Sequence, residues 1–152
     1  MDPNKQPGLE IGQILLERAL FEHRDDYLTL PHTTPVPTLP LRIRAHLGLD
    51  QEKRTGVIKL VLETDRDQRP LYVIELTLAA LVLVKKGEEN MSIEQYAMTA
   101  CIATLFPFLR EAVANLTSRG RFGPIWLHPF NVKAEIAGAG VRVTAGASGA
   151  GQ

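Results

Sequence analysis

The sequence is short of cysteine, of net charge and of long apolar runs, and each shortage excludes a class of protein. It holds one cysteine in 152 residues, which is too few for a disulfide framework or a cysteine-based metal site and is compatible with a reducing cytoplasm. Cys101 lies in an apolar stretch without a neighbouring base, so a small core residue is favoured over a nucleophile. At this length we expect one domain with its own core.

Opposite charges balance, because 17 basic and 17 acidic residues give a formal net charge of zero. They are also spread along the chain, so we expect neither nucleic-acid binding nor attraction to an anionic membrane surface. The longest uncharged run, residues 95–109, is shorter than the ~20 apolar residues of a membrane span. The N-terminus lacks a basic segment followed by a long apolar run, so it is not a signal peptide. These observations predict a cytoplasmic protein without direct membrane insertion.

Alternating apolar and polar residues predict four strands. Residues 14–23 fit both a helix and a strand, and we prefer the strand because further strands follow. Residues 39–49 and 57–64 alternate as half-buried strands do, whereas residues 71–84 become apolar on both faces and need cover on both. Polar turns join the last three strands, which predicts an antiparallel sheet. Four prolines within residues 31–40 predict an extended, irregular crossover.

Residues 93–118 predict one long helix. Ser92 is a suitable N-cap, Gln95 follows at capping-box spacing, and no charge occurs between Glu94 and Arg110. A helix that is apolar nearly all round is buried nearly all round, yet only one of its sides faces the chain's own sheet. We therefore predict an oligomer interface on the other side, the alternative being a second internal helix that covers it. The predicted interface residues are Ala97, Ala100, Cys101, Ile102, Thr104 and Leu105.

Residue types suited to catalysis are scattered rather than grouped. The four histidines lie far apart in sequence, and neither a paired-histidine motif nor a nucleophile motif occurs. The glycine-rich residues 138–152 lack the lysine pattern of a phosphate-binding loop and predict a flexible tail, and the polar residues 1–10 predict a flexible lead-in. We therefore predict a binding protein rather than an enzyme, with no cofactor and no metal.

Residues 105–132, LFPFLREAVANLTSRGRFGPIWLHPFNV, resemble the SecB family of protein-export chaperones. The resemblance rests on the LFP–aromatic break followed by an Arg-Glu pair, on the Ser-Arg-Gly turn with Phe122, and on the Leu-x-Pro-x-Asn segment that ends at Asn131. The upstream layout of strand, proline-containing crossover, three strands and helix agrees as well. The resemblance implies an α+β fold in residues 11–137, with a four-stranded antiparallel sheet and a long helix packed on it. It also implies a homotetramer, a dimer of dimers assembled through the helices.

The function that the resemblance implies is that of an ATP-independent holdase. Such a chaperone binds unfolded preproteins in apolar grooves and delivers them for export through the SecA translocase, with no cofactor and no catalysis. The implied groove is lined by the crossover, the last strand and the connection after the helix: Tyr27, Leu30, Val36, Tyr72, Ile74, Leu76, Leu78, Trp126 and Phe130. The implied SecA-binding residues are Glu22, Val73 and Glu75.

Two departures from the family pattern keep other functions open. Arg18 stands at a third position that is acidic in the family, and this reversal opposes a basic partner. The family's second helix is cut short here by Gly138 and Gly140. Both departures suit a specialised chaperone for one dedicated partner, such as a toxin–antitoxin pair. A further alternative is a small-ligand-binding or enzymatic domain in the same groove, which alanine at His46 or His128 would test.

Overall fold

The computed structural model describes residues 9–36, 38–50, 55–84, 102–128 and 141–145. Its strands and helix, in chain order, are β1 (Leu9–His23), β2 (Leu41–Leu49), β3 (Thr55–Thr64), β4 (Tyr72–Val84), α1 (Ile102–Thr117) and β5 (Val141–Ala145). Short 3₁₀ turns lie in the connections before β2 and before β4, at Tyr27–Thr29 and Arg66–Gln68. None of the helices in these residues is long and apolar enough to cross a membrane. Residues 93–101 of the predicted long helix lie outside the described residues.

The strands form one sheet in the order β1-β4-β3-β2-β5. Strands β1 to β4 pair antiparallel, which confirms the predicted four-stranded antiparallel sheet with a helix packed on it. Residues 14–23 form a strand, as predicted, although β1 already begins at Leu9 within the predicted flexible lead-in. The fifth strand, β5, pairs parallel with β2, from Ala45 beside Val141 to Leu49 beside Ala145.

Strand β5 corrects the prediction of a flexible tail for residues 141–145. The glycine content of the surrounding sequence is typical of a flexible segment. However, the segment Val-Arg-Val-Thr-Ala carries β-branched residues, which favour strands, and the outer edge of β2 supplies the backbone partners with which it pairs. The other residues predicted to be flexible, 1–8, 138–140 and 146–152, lie outside the described residues.

The core lies between α1 and one face of the sheet, which we call the inner face. Every second residue of β3 and β4 points into it and is buried. Helix α1 meets these residues with side chains spaced three or four apart: Ile102, Leu105, Leu109 and Val113. Burying one such side chain stabilises the fold by about 1.5–3 kcal/mol. The side of α1 that carries these four residues therefore faces the buried residues of the sheet.

Strand β1 is an edge strand with two irregularities, between Ile11 and Ile14 and between Leu16 and Arg18. The second changes which residues reach the sheet's other face, the outer face. Both Glu17 and Arg18 make ion pairs there, with Lys59 of β3 and Glu75 of β4 respectively. Two successive residues can share a face because a bulge interrupts the alternation of the strand.

Candidate functional site

An open apolar groove of about 340 Å³ lies between β1 and α1. We call it the β1–α1 groove. It exists because α1 turns its Leu105 side toward the sheet and leaves a second apolar stripe facing the edge strand. Its lining residues are Ile14, Leu15, Leu16, Leu78, Phe108, Glu111, Ala112, Asn115 and Leu116. Leu16 and Phe108 are 52% and 45% exposed, so the groove presents large apolar side chains to solvent.

The predicted groove residues of β4 lie mainly in the core of the chain, and their role in client binding stays a prediction. Tyr72, Ile74 and Leu76 are fully buried, because they point to the inner face beneath neighbouring elements. Only Leu78 reaches the floor of the β1–α1 groove. The alternation of β4 had indicated two faces without indicating which of them would be covered.

The predicted groove residues outside β4 are closer to the surface. Tyr27 and Leu30 of the crossover are half-buried, whereas Val36 is exposed. Trp126, after α1, is 51% exposed. Phe130 lies outside the described residues, and none of the other four lines the β1–α1 groove.

The predicted oligomer interface lies only partly within the described residues. Ile102 and Leu105 are buried against the chain's own sheet, and their place in an interface stays a prediction. Thr104 is exposed on the other side of α1. Ala97, Ala100 and Cys101 lie outside the described residues. The apolar side that α1 leaves open instead carries Phe108, Ala112 and Leu116, which belong to the β1–α1 groove.

Arg121 fastens the crossover to the turn that follows α1. Its guanidinium donates to the carbonyl oxygens of Tyr27 and Leu30, each at 2.6 Å, and to that of Pro31 at 2.9 Å. It also lies over the ring of Phe122, 5.6 Å from the ring centroid. These contacts give the half-buried residues Tyr27 and Leu30 their fixed positions.

Tyr72 joins the same turn to the sheet. Its hydroxyl accepts a hydrogen bond from the Phe122 backbone N–H at 2.8 Å. Its ring packs edge-on against Phe21 and His23, with centroids 5.1 and 5.0 Å away. Gly120 makes this approach possible, because a Cβ there would lie 2.7 Å from Cζ of Tyr72 and closer still to its hydroxyl oxygen.

A second, smaller apolar depression of about 230 Å³ lies on the far side of Glu111. It is formed by Phe106, Pro107, Arg110, Glu111 and Trp126. Arg110 donates to the Leu127 carbonyl at 3.1 Å, and its guanidinium lies 4.8 Å from the centroid of the Trp126 ring. These contacts hold Trp126 against α1, beside Glu111, which also borders the β1–α1 groove.

Predicted partner residues on the outer face are partly engaged by the chain itself. Glu75 pairs with Arg18 at 2.7 Å and with Arg66 at 3.1 Å. The hydrogen bond from Arg66, followed by the charges of Arg18 and Arg66, holds the pKa of the Glu75 carboxyl below its ordinary value despite partial burial. Val73 is half-buried, and Glu22 is exposed with no ion pair among the described residues. Thus Glu22 is open, whereas Glu75 is shielded by two guanidinium groups.

The histidines form no chemical centre in the part of the chain that the structure describes. His23 stacks near Tyr27, His46 lies on β2, and His32 and His128 are exposed. In the same residues no group of three His, Cys, Asp or Glu side chains is placed to hold a metal ion. The apolar groove is therefore the feature on which a function can be argued.

Several residues of the site escaped prediction from the sequence. Leu15 and Leu16 alternate like any strand, and only their place on an edge beside α1 exposes them. Phe108 is one apolar residue among many in its helix. The sequence shows Arg121 only as part of a basic turn. It does not indicate the three carbonyl partners of Arg121, because these lie 90 to 94 residues earlier in the chain.

Comparisons with known proteins agree with this fold. The family described as "Preprotein translocase subunit SecB" matches residues 3–136. The "Protein-export protein SecB" of Acinetobacter baumannii AYE is 33% identical over 132 residues, covering 86% of this chain and 85% of that protein. The protein of the same description from Cellvibrio japonicus is 35% identical over 78 residues, 51% of this chain and 46% of that protein.

One solved structure is similar in fold. It is the Mycobacterium tuberculosis Rv1957 SecB-like chaperone in complex with a ChAD peptide from the Rv1956 HigA1 antitoxin. The match has a TM-score of 0.62 at 22% identity and covers 79% of this chain and 89% of that one. Together with the family match over residues 3–136, these likenesses show that the chain belongs to the SecB family of protein-export chaperones, which are not enzymes.

Proposed function

We propose that the chain is an ATP-independent holdase that binds unfolded preproteins in the β1–α1 groove and keeps them competent for export. The observation that carries the proposal is the groove itself, with Leu16 and Phe108 about half exposed on its walls. Unfolded chains have exposed apolar side chains in common, so a holder of many clients needs apolar surface more than directional polar groups. The groove offers such a surface.

The second depression extends this surface toward Trp126. Glu111 borders both depressions, so a client segment that leaves the groove past Phe108 meets Phe106 and Trp126 next. We expect a client to lie along this path. We also propose that the crossover residues Tyr27, Leu30 and Val36 contact those parts of a client that extend beyond the groove.

The experiment compares Leu16→Gln/Phe108→Gln with the single variant Leu81→Gln. Leu81 is 39% exposed on the outer face, away from the groove, and its substitution removes exposed apolar surface outside the groove. Each protein is mixed with a chemically denatured client diluted into buffer without ATP, and light scattering follows aggregation. We expect the unmodified chain and Leu81→Gln to suppress aggregation near stoichiometric ratio. The same suppression should require a several-fold higher concentration of the groove variant. Equal suppression by all three proteins would contradict the proposal.

Delivery to SecA, with a cytoplasmic location, is the proposed continuation of this activity. Glu22, Val73 and Glu75 are the proposed contact residues. Because Arg18 and Arg66 occupy the carboxylate of Glu75, a basic partner has to displace them. We therefore expect Arg18→Ala to tighten SecA binding in a pull-down or calorimetric titration, and a weakening would contradict this docking site.

A dedicated chaperone for one partner is the second candidate function, favoured by the Arg18–Glu75 ion pair at 2.7 Å. The fold neighbour from Mycobacterium tuberculosis was solved with an antitoxin peptide, which gives this candidate a concrete form. Affinity purification from cells separates the two. One dominant small partner supports the dedicated role, whereas many precursors together with SecA support general export.

A homotetramer assembled as a dimer of dimers remains the proposed assembly. The proposed contacts are the exposed Thr104 and the predicted interface residues Ala97, Ala100 and Cys101, which lie outside the described residues, so the β1–α1 groove stays open to clients. We expect light scattering to give the mass of four chains. A monomer at micromolar concentration would contradict this assembly.

A further inference from the structure

The outer edge of β2 carries the one parallel pairing among the described strands. β5 has five residues, and it pairs with Ala45–Leu49 only. The first half of β2, Leu41 to Arg44, has no strand on that edge among the described residues. The C-terminal strand therefore covers half of an edge that extends further.

Strand β5 has several features of a segment that detaches easily. Parallel pairing is slightly weaker per residue than antiparallel pairing, and a five-residue strand forms few backbone hydrogen bonds. The sequence on both sides is rich in glycine, with Gly138 and Gly140 before the strand and Gly146 and Gly149 after it. Because β5 is the outermost strand of the sheet and pairs only with β2 among the described strands, its release breaks no other described strand pairing.

The edge under β5 has specific requirements for what replaces it. In the register of this pair, Ala45 of β2 is the partner of Val141, and Leu47 is the partner of Val143. Both β2 residues are buried in the core. An incoming segment must therefore be extended, must offer backbone donors and acceptors, and must carry apolar residues at alternate positions. Exposed strand edges accept such segments by strand addition.

We propose that the outer edge of β2 is a strand-exchange site, at which an extended, alternately apolar segment of an unfolded polypeptide replaces β5. The first half of β2, which no described strand covers on this edge, gives the incoming strand a place to start, and pairing then advances toward Leu49 as β5 leaves. This proposal rests on the proposed holdase function and adds to it a second contact, made by backbone hydrogen bonds rather than by apolar grooves. In the free chain, β5 keeps the edge from pairing with other molecules.

A reversible lock on β5 tests the exchange in the full chain. We would introduce Gly48→Cys and Thr144→Cys, which occupy partnered positions on β2 and β5, in a Cys101→Ala background. Neighbouring strands place such residues within the Cα separation that a disulfide accepts. The probe is a fluorescein-labelled synthetic peptide with the sequence of residues 139–147, followed by fluorescence anisotropy. We expect saturable binding to the reduced protein and at least tenfold weaker binding to the oxidised one.

Two further measurements keep the test independent of the lock. Val143→Asp introduces a charge at the register position that pairs with Leu47 and should increase peptide binding. Ser148→Asp adds the same charge outside β5 and should not increase it. In the unmodified chain, hydrogen exchange in residues 141–145 should be at least tenfold faster than in residues 58–62 of β3. Equal peptide binding to the oxidised and reduced proteins, no binding to either of them, or core-like protection of β5 would overturn the proposal. The peptide is not an aggregating client, so strand exchange can fail while aggregation suppression persists, and the reverse also holds.

Discussion

The crossover side and the groove side of this molecule are built in opposite ways. On the crossover side, Arg121 donates three hydrogen bonds to backbone carbonyls, and Tyr72 accepts one from the Phe122 backbone. On the groove side, the walls are apolar side chains, and Leu16 and Phe108 remain half exposed. The hydrogen bonds of the crossover side depend on direction and distance, whereas apolar contacts on the groove side depend on the exposed apolar area alone.

This difference separates the requirements of folding from those of binding. Directional contacts fix one geometry, and losing a partner leaves a polar group unsatisfied. Exposed apolar area contributes little to the stability of the free chain, since those side chains are still partly in water. Substitutions on the crossover side should therefore lower the free energy of unfolding, and substitutions on the groove side should lower client binding.

Gly120→Ala should have the largest effect on stability. Its Cβ would collide with the Tyr72 ring, which is fully buried and cannot move aside without breaking the bond from Phe122. Overpacking together with a lost hydrogen bond predicts a loss of about 2–4 kcal/mol in the free energy of unfolding. Urea unfolding followed by circular dichroism measures this loss.

The matched control for Gly120→Ala is Gly123→Ala. Gly123 has a φ of +75°, but the space that a Cβ would enter there is open, so only backbone strain of about 1–2 kcal/mol is expected. A Gly120 variant that is as stable as the Gly123 variant would show that the Tyr72 contact is not needed.

Arg121→Ala should have the next largest effect. The variant leaves three carbonyl oxygens, those of Tyr27, Leu30 and Pro31, without their donor. Since hydrogen bonds from a charged donor contribute about 1.5–3 kcal/mol in favourable cases and these are partly solvated, we expect a total loss of about 2–3 kcal/mol. Hydrogen exchange in residues 24–36 should accelerate. The exposed Arg119→Ala is the control, and equal exchange in both variants would contradict the role of Arg121.

Phe108→Gln should affect stability little and client binding strongly. The side chain is 45% exposed, so the substitution should cost at most about 1 kcal/mol in the free energy of unfolding. The concentration needed to suppress client aggregation should rise several-fold. If instead stability fell by as much as in Arg121→Ala while suppression were unchanged, the contrast between the two sides would fail.

Glu75→Gln should have the smallest effect, because its ion pairs with Arg18 and Arg66 involve partly exposed side chains. The pKa of Glu75 is lowered in the folded chain, so its contribution is present above the ordinary glutamate pKa and is lost as pH falls through the lowered value. Below the ordinary glutamate pKa, the free energy of unfolding should therefore depend less on pH in the variant, by at most about 1 kcal/mol in total. Glu22→Gln, which removes no ion pair of the described residues, is the control, and an equal change in both variants would contradict the role of the Glu75 ion pairs.

Periodicity predicted the strands well because alternation is a local property. It predicted β1 to β4, and the apolar pattern predicted the part of α1 that the structure describes, whereas the predicted N-cap Ser92 lies outside the described residues. Periodicity does not predict which side of β4 α1 covers. The family resemblance implies groove positions for Tyr72, Ile74 and Leu76, and the structure buries all three in the core. Arg121 was missed for a related reason, since its carbonyl partners are distant in sequence and carry no side-chain signal. The pairing of β5 with β2 depends on an edge that only the assembled sheet creates.

The chain's single tryptophan gives the proposed client path its own optical reporter. Trp126 is half exposed, lies against the Arg110 guanidinium and shares a depression with Glu111, which also borders the β1–α1 groove. A client segment that covers this indole would remove water from it and shift its fluorescence emission to shorter wavelength. A titration with an unfolded client that contains no tryptophan should therefore show binding without any label. An unchanged emission at saturating client would place the client elsewhere on the surface.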